Sequence, residues 1–144
     1  MIQGMFNSGS LPVLERLLQF TEQRQAALAH ANANLSTPGV RPADLSVADF
    51  QAALRQAIDQ RRASAAGVSG PLALRDTAQL HFRPDRLDAI AEPTNDNVLF
   101  HDDNNRDVER LMQHLAENAL MHRTGIELMR SEFSRLQTAI RGRV

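Results

Sequence analysis

Hydrophobic positions along this chain fall into a helical rhythm twice and lose it in between. Leu11, Leu14, Leu18, Thr21, Gln25, Leu28 and Asn32 recur at alternating steps of three and four. That is a heptad seam, leucine-rich at first and more polar later. Leu17 and Phe20 widen the stripe. Ser10 stands where a helix cap belongs, and Pro12 suits a first turn, where its missing N–H has no helical acceptor to lose. The pattern predicts a helix over 11–34, stopped by the breaker Thr37-Pro38-Gly39. A second helix is expected over 46–62, with Ser46 and Asp49 as a capping pair and Val47, Phe50, Leu54, Ala57 and Ile58 on one face. Residues 63–71 are small and predict a flexible surface loop or linker. Over 72–100 the period disappears and Pro84 and Pro93 interrupt it, so irregular chain is expected, with short extended pieces near 79–83 and 97–100. The tracts 95–97 and 102–105 are turn signals.

The last periodic stretch is the longest. Met112, Leu115, Ala119, His122, Ile126, Met129, Phe133, Leu136 and Ile140 predict a helix over about 105–141. At 1.5 Å per residue it would run roughly 50 Å, longer than a compact domain of this mass is wide. The N-terminal helix is too short to cover it, so the remaining seam calls for a partner. The expected fold is therefore mainly all-α. Residues 11–34 and 105–141 pair as an elongated, coiled-coil-like helical hairpin. Residues 35–104 form a smaller outer region with a short helix and irregular, partly extended chain.

Composition narrows the chemistry. The chain has 144 residues, a net charge of -1 and no Cys, Trp or Tyr, and all 16 basic residues are Arg. One domain fits that length. Thiolate chemistry, a lysine Schiff base and a Walker-type phosphate loop are all excluded. Alanine supplies about a third of the hydrophobic residues, which favours helices with narrow seams over a thick core. Near-neutral charge and few aromatics argue against nucleic acid, and no apolar run is long enough to span a bilayer. Met1–Phe6 lacks the basic and apolar regions of a secretory signal, which points to the cytoplasm or to export without a cleaved signal.

Three candidate chemistries fall short on spacing. His101-Asp102-Asp103-Asn104-Asn105 offers oxygen and imidazole ligands but not the pattern of a calcium loop, so it reads as a turn that caps the last helix. His114 and His122 are eight apart, whereas a helical metal pair needs four. No serine sits in a nucleophile elbow. Neither a catalytic residue nor a metal or other cofactor is expected. Arg61-Arg62 and Arg141-Gly142-Arg143 read as solvated helix ends.

Two segments carry more than periodicity. Asn34-Leu35-Ser36-Thr37-Pro38-Gly39 ends the first heptad helix, and Ala116-Glu117-Asn118-Ala119-Leu120 leads through Phe133 to Thr138-Ala139-Ile140-Arg141-Gly142. Together they resemble the flagellar basal-body rod proteins of the rod and hook axial family. The Asn-x-x-Thr-Pro-Gly turn at Asn34, Thr37, Pro38 and Gly39 is shared across that family. The Thr-Ala-Ile-Arg-Gly ending, the stretch Asp102 to Val108, Asp49–Leu54 and Thr77-x-x-x-His81-Phe82 are similar to the proximal-rod branch. Val40 stands where the family usually has an aromatic. The resemblance implies a structural subunit that is not an enzyme. It would leave the cell through the flagellar type III apparatus and stack helically in the periplasmic rod that transmits torque. Its partners would be its own copies, other rod proteins, the rod-base adaptor and the export gate. The expected packing residues are Leu14, Leu18, Leu28, Leu115, Ile126, Met129, Phe133, Leu136 and Ile140. A soluble helical adaptor or export chaperone using the same seams is the alternative.

Overall fold

The computed structural model describes residues 9–64, 67, 69–70, 72–93 and 107–142. The expected extended piece at 97–100, the turns at 95–97 and 102–105, and the start of the last helix at 105 lie outside these residues. The fold is mainly helical, as the periodicity predicts. In chain order the elements are α1 (Leu11–Ala33), β1 (Ala43–Asp44), α2 (Val47–Ala63), β2 (Leu80–Phe82), β3 (Leu87–Ala89), β4 (Glu92–Pro93) and α3 (Val108–Arg141). The long helices α1 and α3 pack against each other. Their direction is antiparallel, since Leu28 and Ala31 meet Leu111 while Leu18 meets Gly125.

Helix ends follow local chemistry. The Ser46 hydroxyl accepts the Asp49 N–H at 3.1 Å, so α2 is capped as its sequence predicts. Asp107 accepts the Arg110 N–H at 3.0 Å and caps α3. Gly142, at φ 61°, ends α3 in the left-handed conformation, with its N–H on the Ala139 carbonyl. Ser10 departs from expectation. Its backbone is already helical, at φ -88° and ψ -14°, and its side chain makes no capping bond. Its carbonyl instead accepts the Val13 and Leu14 N–H groups at 3.0 Å.

The outer region is more ordered than the sequence implies. β2 and β3 form an antiparallel hairpin with Leu80 opposite Ala89 and Phe82 opposite Leu87. β1 and β4 pair Ala43 with Pro93 and Asp44 with Glu92. A core of Phe20, Leu45, Phe50, Leu80 and Leu87 joins α1, α2 and the hairpin, with the Phe20 and Phe50 rings stacked at 4.2 Å. Arg16 and Gln19 on α1 donate to the carbonyls of Pro84, Asp85 and Arg86, clasping the hairpin turn to the helix. On the edge of the hairpin, Asp76 accepts the Phe82 N–H at 2.8 Å, which holds its carboxyl below the ordinary value, with His81 adding a smaller effect. That contribution is present above the ordinary carboxylate pKa and is lost as pH falls through the lowered one.

Candidate assembly site

The α1/α3 seam is built in layers. At one end Leu28 and Ala31 are buried against Leu111, with Leu35 and Leu115 packed around them. The next layer is polar. Arg24, 5% exposed at its side chain, makes two bonds to Asp44, at 2.8 and 2.6 Å, and His114 Nδ1 lies 3.2 Å from the same carboxylate. Asp44 therefore ties α1, β1 and α3 together. A buried charge pair of this kind adds little net stability, but it strongly disfavours any arrangement that separates the charges.

A second polar layer follows. Asn118 is 1% exposed, and its amide donates to the Thr21 carbonyl at 2.9 Å and to Gln25 Oε1 at 3.0 Å. Its Oδ1 is buried without a hydrogen-bond partner. Thr21, fully buried, lies 2.9 Å from the Leu18 carbonyl and 2.8 Å from His122 Nδ1. A hydroxyl has one proton and a carbonyl none. The network therefore assigns the Thr21 proton to Leu18 and requires a proton on His122 Nδ1. Beyond this layer Gly125 faces Leu18. A Cβ at Gly125 would stand 3.0 Å from Leu18 Cδ2 and 3.4 Å from Leu17 Cδ2, so glycine here permits the close approach of the two helices.

The expected packing residues divide along this seam. Leu14 and Leu28 are buried, at 7% and 1% exposure. Leu18, Leu115, Ile126, Met129 and Leu136 are half-buried, whereas Phe133 and Ile140 are exposed, at 40% and 68%. Two expected seam positions are displaced by one residue. Met112 and Ala119 face outward, and Leu111 and Asn118 take the inner places. The apolar pattern hides this shift because an asparagine and a glycine occupy the inner line at 118 and 125. Arg24, Asp44 and Asn118 escape sequence reasoning as seam residues, since charged and amide side chains normally mark a solvated face. The histidines take structural partners, His114 with Asp44 and His122 with Thr21.

The turn after α1 brings its motif residues together. Asn34 Nδ2 donates to the His30 carbonyl at 2.9 Å and closes the helix end. The Thr37 N–H donates to the Asn34 carbonyl at 3.0 Å, and the Val40 N–H to the Thr37 carbonyl at 3.3 Å. Within that second turn Pro38 supplies a fixed φ and Gly39 a φ of 74°, which a side chain would strain. The chain is thus redirected from α1 into the outer region.

Among the described residues no group of three or more His, Cys, Asp or Glu side chains is placed to hold a metal ion. No helix among them is long and apolar enough to cross a membrane. Comparison with known proteins bears on what the helix pair serves. The chain is similar to a flagellar rod protein. It is 27% identical over 133 residues to the flagellar basal body rod protein FlgB of Yersinia enterocolitica, an alignment spanning 92% of this chain and 93% of that protein. No protein-family model matches. The aligned length is enough to include the outer region as well as both long helices.

Proposed function

We propose that this chain is a structural subunit of the bacterial flagellar rod, the proximal rod protein in particular. The observation that carries the reading is the similarity to FlgB over nearly the full length of both chains. The architecture supports it. α3 has 34 residues against 23 in α1, and the Leu18–Gly125 contact sets their alignment. Counting from that contact, the final turns of α3 project past Leu11, carrying the exposed Phe133 and Ile140. An apolar helix end of this kind suits packing between subunits better than catalysis, and the seam's polar layers serve register rather than chemistry.

In this reading residues 11–34 and 105–141 form the assembly core and 35–104 the outer region. The subunit passes through the flagellar type III apparatus. It joins its own copies and other rod proteins, between the rod-base adaptor and export gate and the distal rod, to transmit torque across the periplasm. No residue is assigned a catalytic role or a cofactor. The test is deletion in the native host, followed by complementation. Loss of the gene is expected to abolish flagella, the intact gene to restore them, and Phe133→Asp to fail to restore them while the protein is still made. Normal flagella in the deletion strain would overturn the proposal.

A further inference from the structure

α3 has 34 residues against 23 in α1, and among the described residues it packs mainly on α1. Its apolar spacing continues past the paired stretch through Met129, Phe133, Leu136 and Ile140. A helix with surplus seam offers its partner a second seat. That seat lies one heptad along, about 10 Å toward the α3 C-terminus, because heptad spacing returns side chains to the same face. The chain between Pro93 and Val108 can extend by roughly 3.3 Å per residue, enough to follow such a shift. In the second seat Leu14 would rise from the level of Met129 to that of Leu136, counted from the Leu18–Gly125 contact. Leu18 would meet Glu132, whose carboxylate is already held by Arg135 at 3.3 Å. Asp44 would lose His114 and keep Arg24, which travels with it.

One layer decides between the seats. Leu28, Ala31 and Leu35 now rest on Leu111 and Leu115. Seven residues further along α3 stand Asn118 and His122. The second seat would press the same apolar cluster onto these two polar side chains. It would also strip them of Thr21 and Gln25, which now hold them at 2.8–3.0 Å. Only the exposed Asn32 would bring a side-chain acceptor to that level. The polar layer is not optimised for stability where it stands, since Asn118 Oδ1 is buried without a partner. We infer that Asn118 and His122 are register-determining residues. They exclude the seat one heptad along, at a cost in stability, and so keep the exposed Phe133 and Ile140 from being covered by the chain's own α1. The inference concerns the folded chain alone and stands apart from the rod reading.

Asn118→Leu with His122→Leu copies the Leu111/Leu115 layer one heptad along and opens the second seat. The chain has no cysteine, so Gln23→Cys and Gln113→Cys, both at exposed positions, accept one spin label each. The slide carries Gln23 away from Gln113. Distances are measured by pulsed electron resonance on the full-length chain, diluted into unlabelled chain so that only pairs within one molecule count. The natural seam is expected to give a single distance. The double variant is expected to keep its helicity by circular dichroism and to add a second distance, longer by about 10 Å. Each single variant is expected to show the same second distance in a smaller fraction. Two distances with the natural seam would overturn the proposal. So would a double variant that keeps the single distance, or one that loses its helicity.

Discussion

The two halves of α3 belong to one helix and one repeat, yet they meet the rest of the chain differently. From Leu111 to Gly125 the helix is fixed by specific contacts: Leu111 on Leu28, His114 on Asp44, Asn118 on Thr21 and Gln25, His122 on Thr21, and Gly125 on Leu18. From Ile126 to Arg141 the ion pairs Arg130–Glu127 and Arg135–Glu132 stay on the helix itself, and Ile140 is largely exposed. The first half is positioned by polar groups that tolerate one register. The second half presents apolar side chains, which accept many partners and specify none alone. A helix that is specific at one end and permissive at the other is suited to folding with its own chain first and engaging others afterwards.

The largest expected effect breaks the specific half. Asp44→Ala leaves Arg24 buried without its carboxylate and removes the His114 contact, and is expected to cost about 3–5 kcal/mol of unfolding free energy in urea titration. Asp44→Asn keeps the shape and an acceptor, so it should cost less than Asp44→Ala. Equal costs for the two would show that the charge alone carries the effect, and no cost for Asp44→Asn would show that the charge does not matter. Leu111→Ala, at a site 7% exposed between Leu28 and Ala31, is expected to cost about 2–3 kcal/mol by the same measurement.

How much of this comparison was legible in the sequence follows from what each contact is made of. The bounds of α1 and α2, the Ser46 cap, the Asn34–Gly39 turn and the extended piece at β2 rest on local chemistry, and the residues announce it. The pairing of the long helices follows from their matching seams. The lock between them does not. Arg24 and Asp44 are 20 residues apart and read singly as surface charges, and His114 reaches Asp44 from 70 residues away. Asn118 and Gly125 displace the seam by one position because neither registers as apolar. β1 and β4 are two residues each, shorter than any periodic signal. Nonlocal polar contacts and two-residue strands are where pattern reading stops.

Gly125 marks the boundary between the halves, and substitution at this third site sharpens it. Glycine in mid-helix sacrifices about 1 kcal/mol of helix propensity relative to alanine. Gly125→Ala regains that but must displace the flexible end of Leu18, 3.0 Å from the new Cβ, so the two effects offset. Gly125→Leu cannot be accommodated by that adjustment and is expected to cost about 1–3 kcal/mol by forcing α1 and α3 apart. The diagnostic reading is crystallographic or by NMR contacts. The Thr21–His122 bond should be lost in Gly125→Leu and kept in Gly125→Ala.

The smallest effect on folding carries the most weight for function. Ile140→Asp changes a residue already 68% exposed, near the end of α3. Removing its side chain uncovers little new surface and buries no charge, so the unfolding free energy should move by about 0.5 kcal/mol or less. If the distal half of α3 acts between subunits, the same substitution places a carboxylate within an apolar contact, where an unpaired charge is strongly disfavoured. Motility and recovery of the chain in isolated basal bodies should then fall sharply while the purified protein unfolds at an almost unchanged urea midpoint. Asp44→Ala should show the reverse ratio, with function falling only as far as the folded fraction does. If Ile140→Asp leaves both quantities unchanged, the distal half is not the permissive surface that its exposure suggests, and assembly must be carried by the rest of the helix pair.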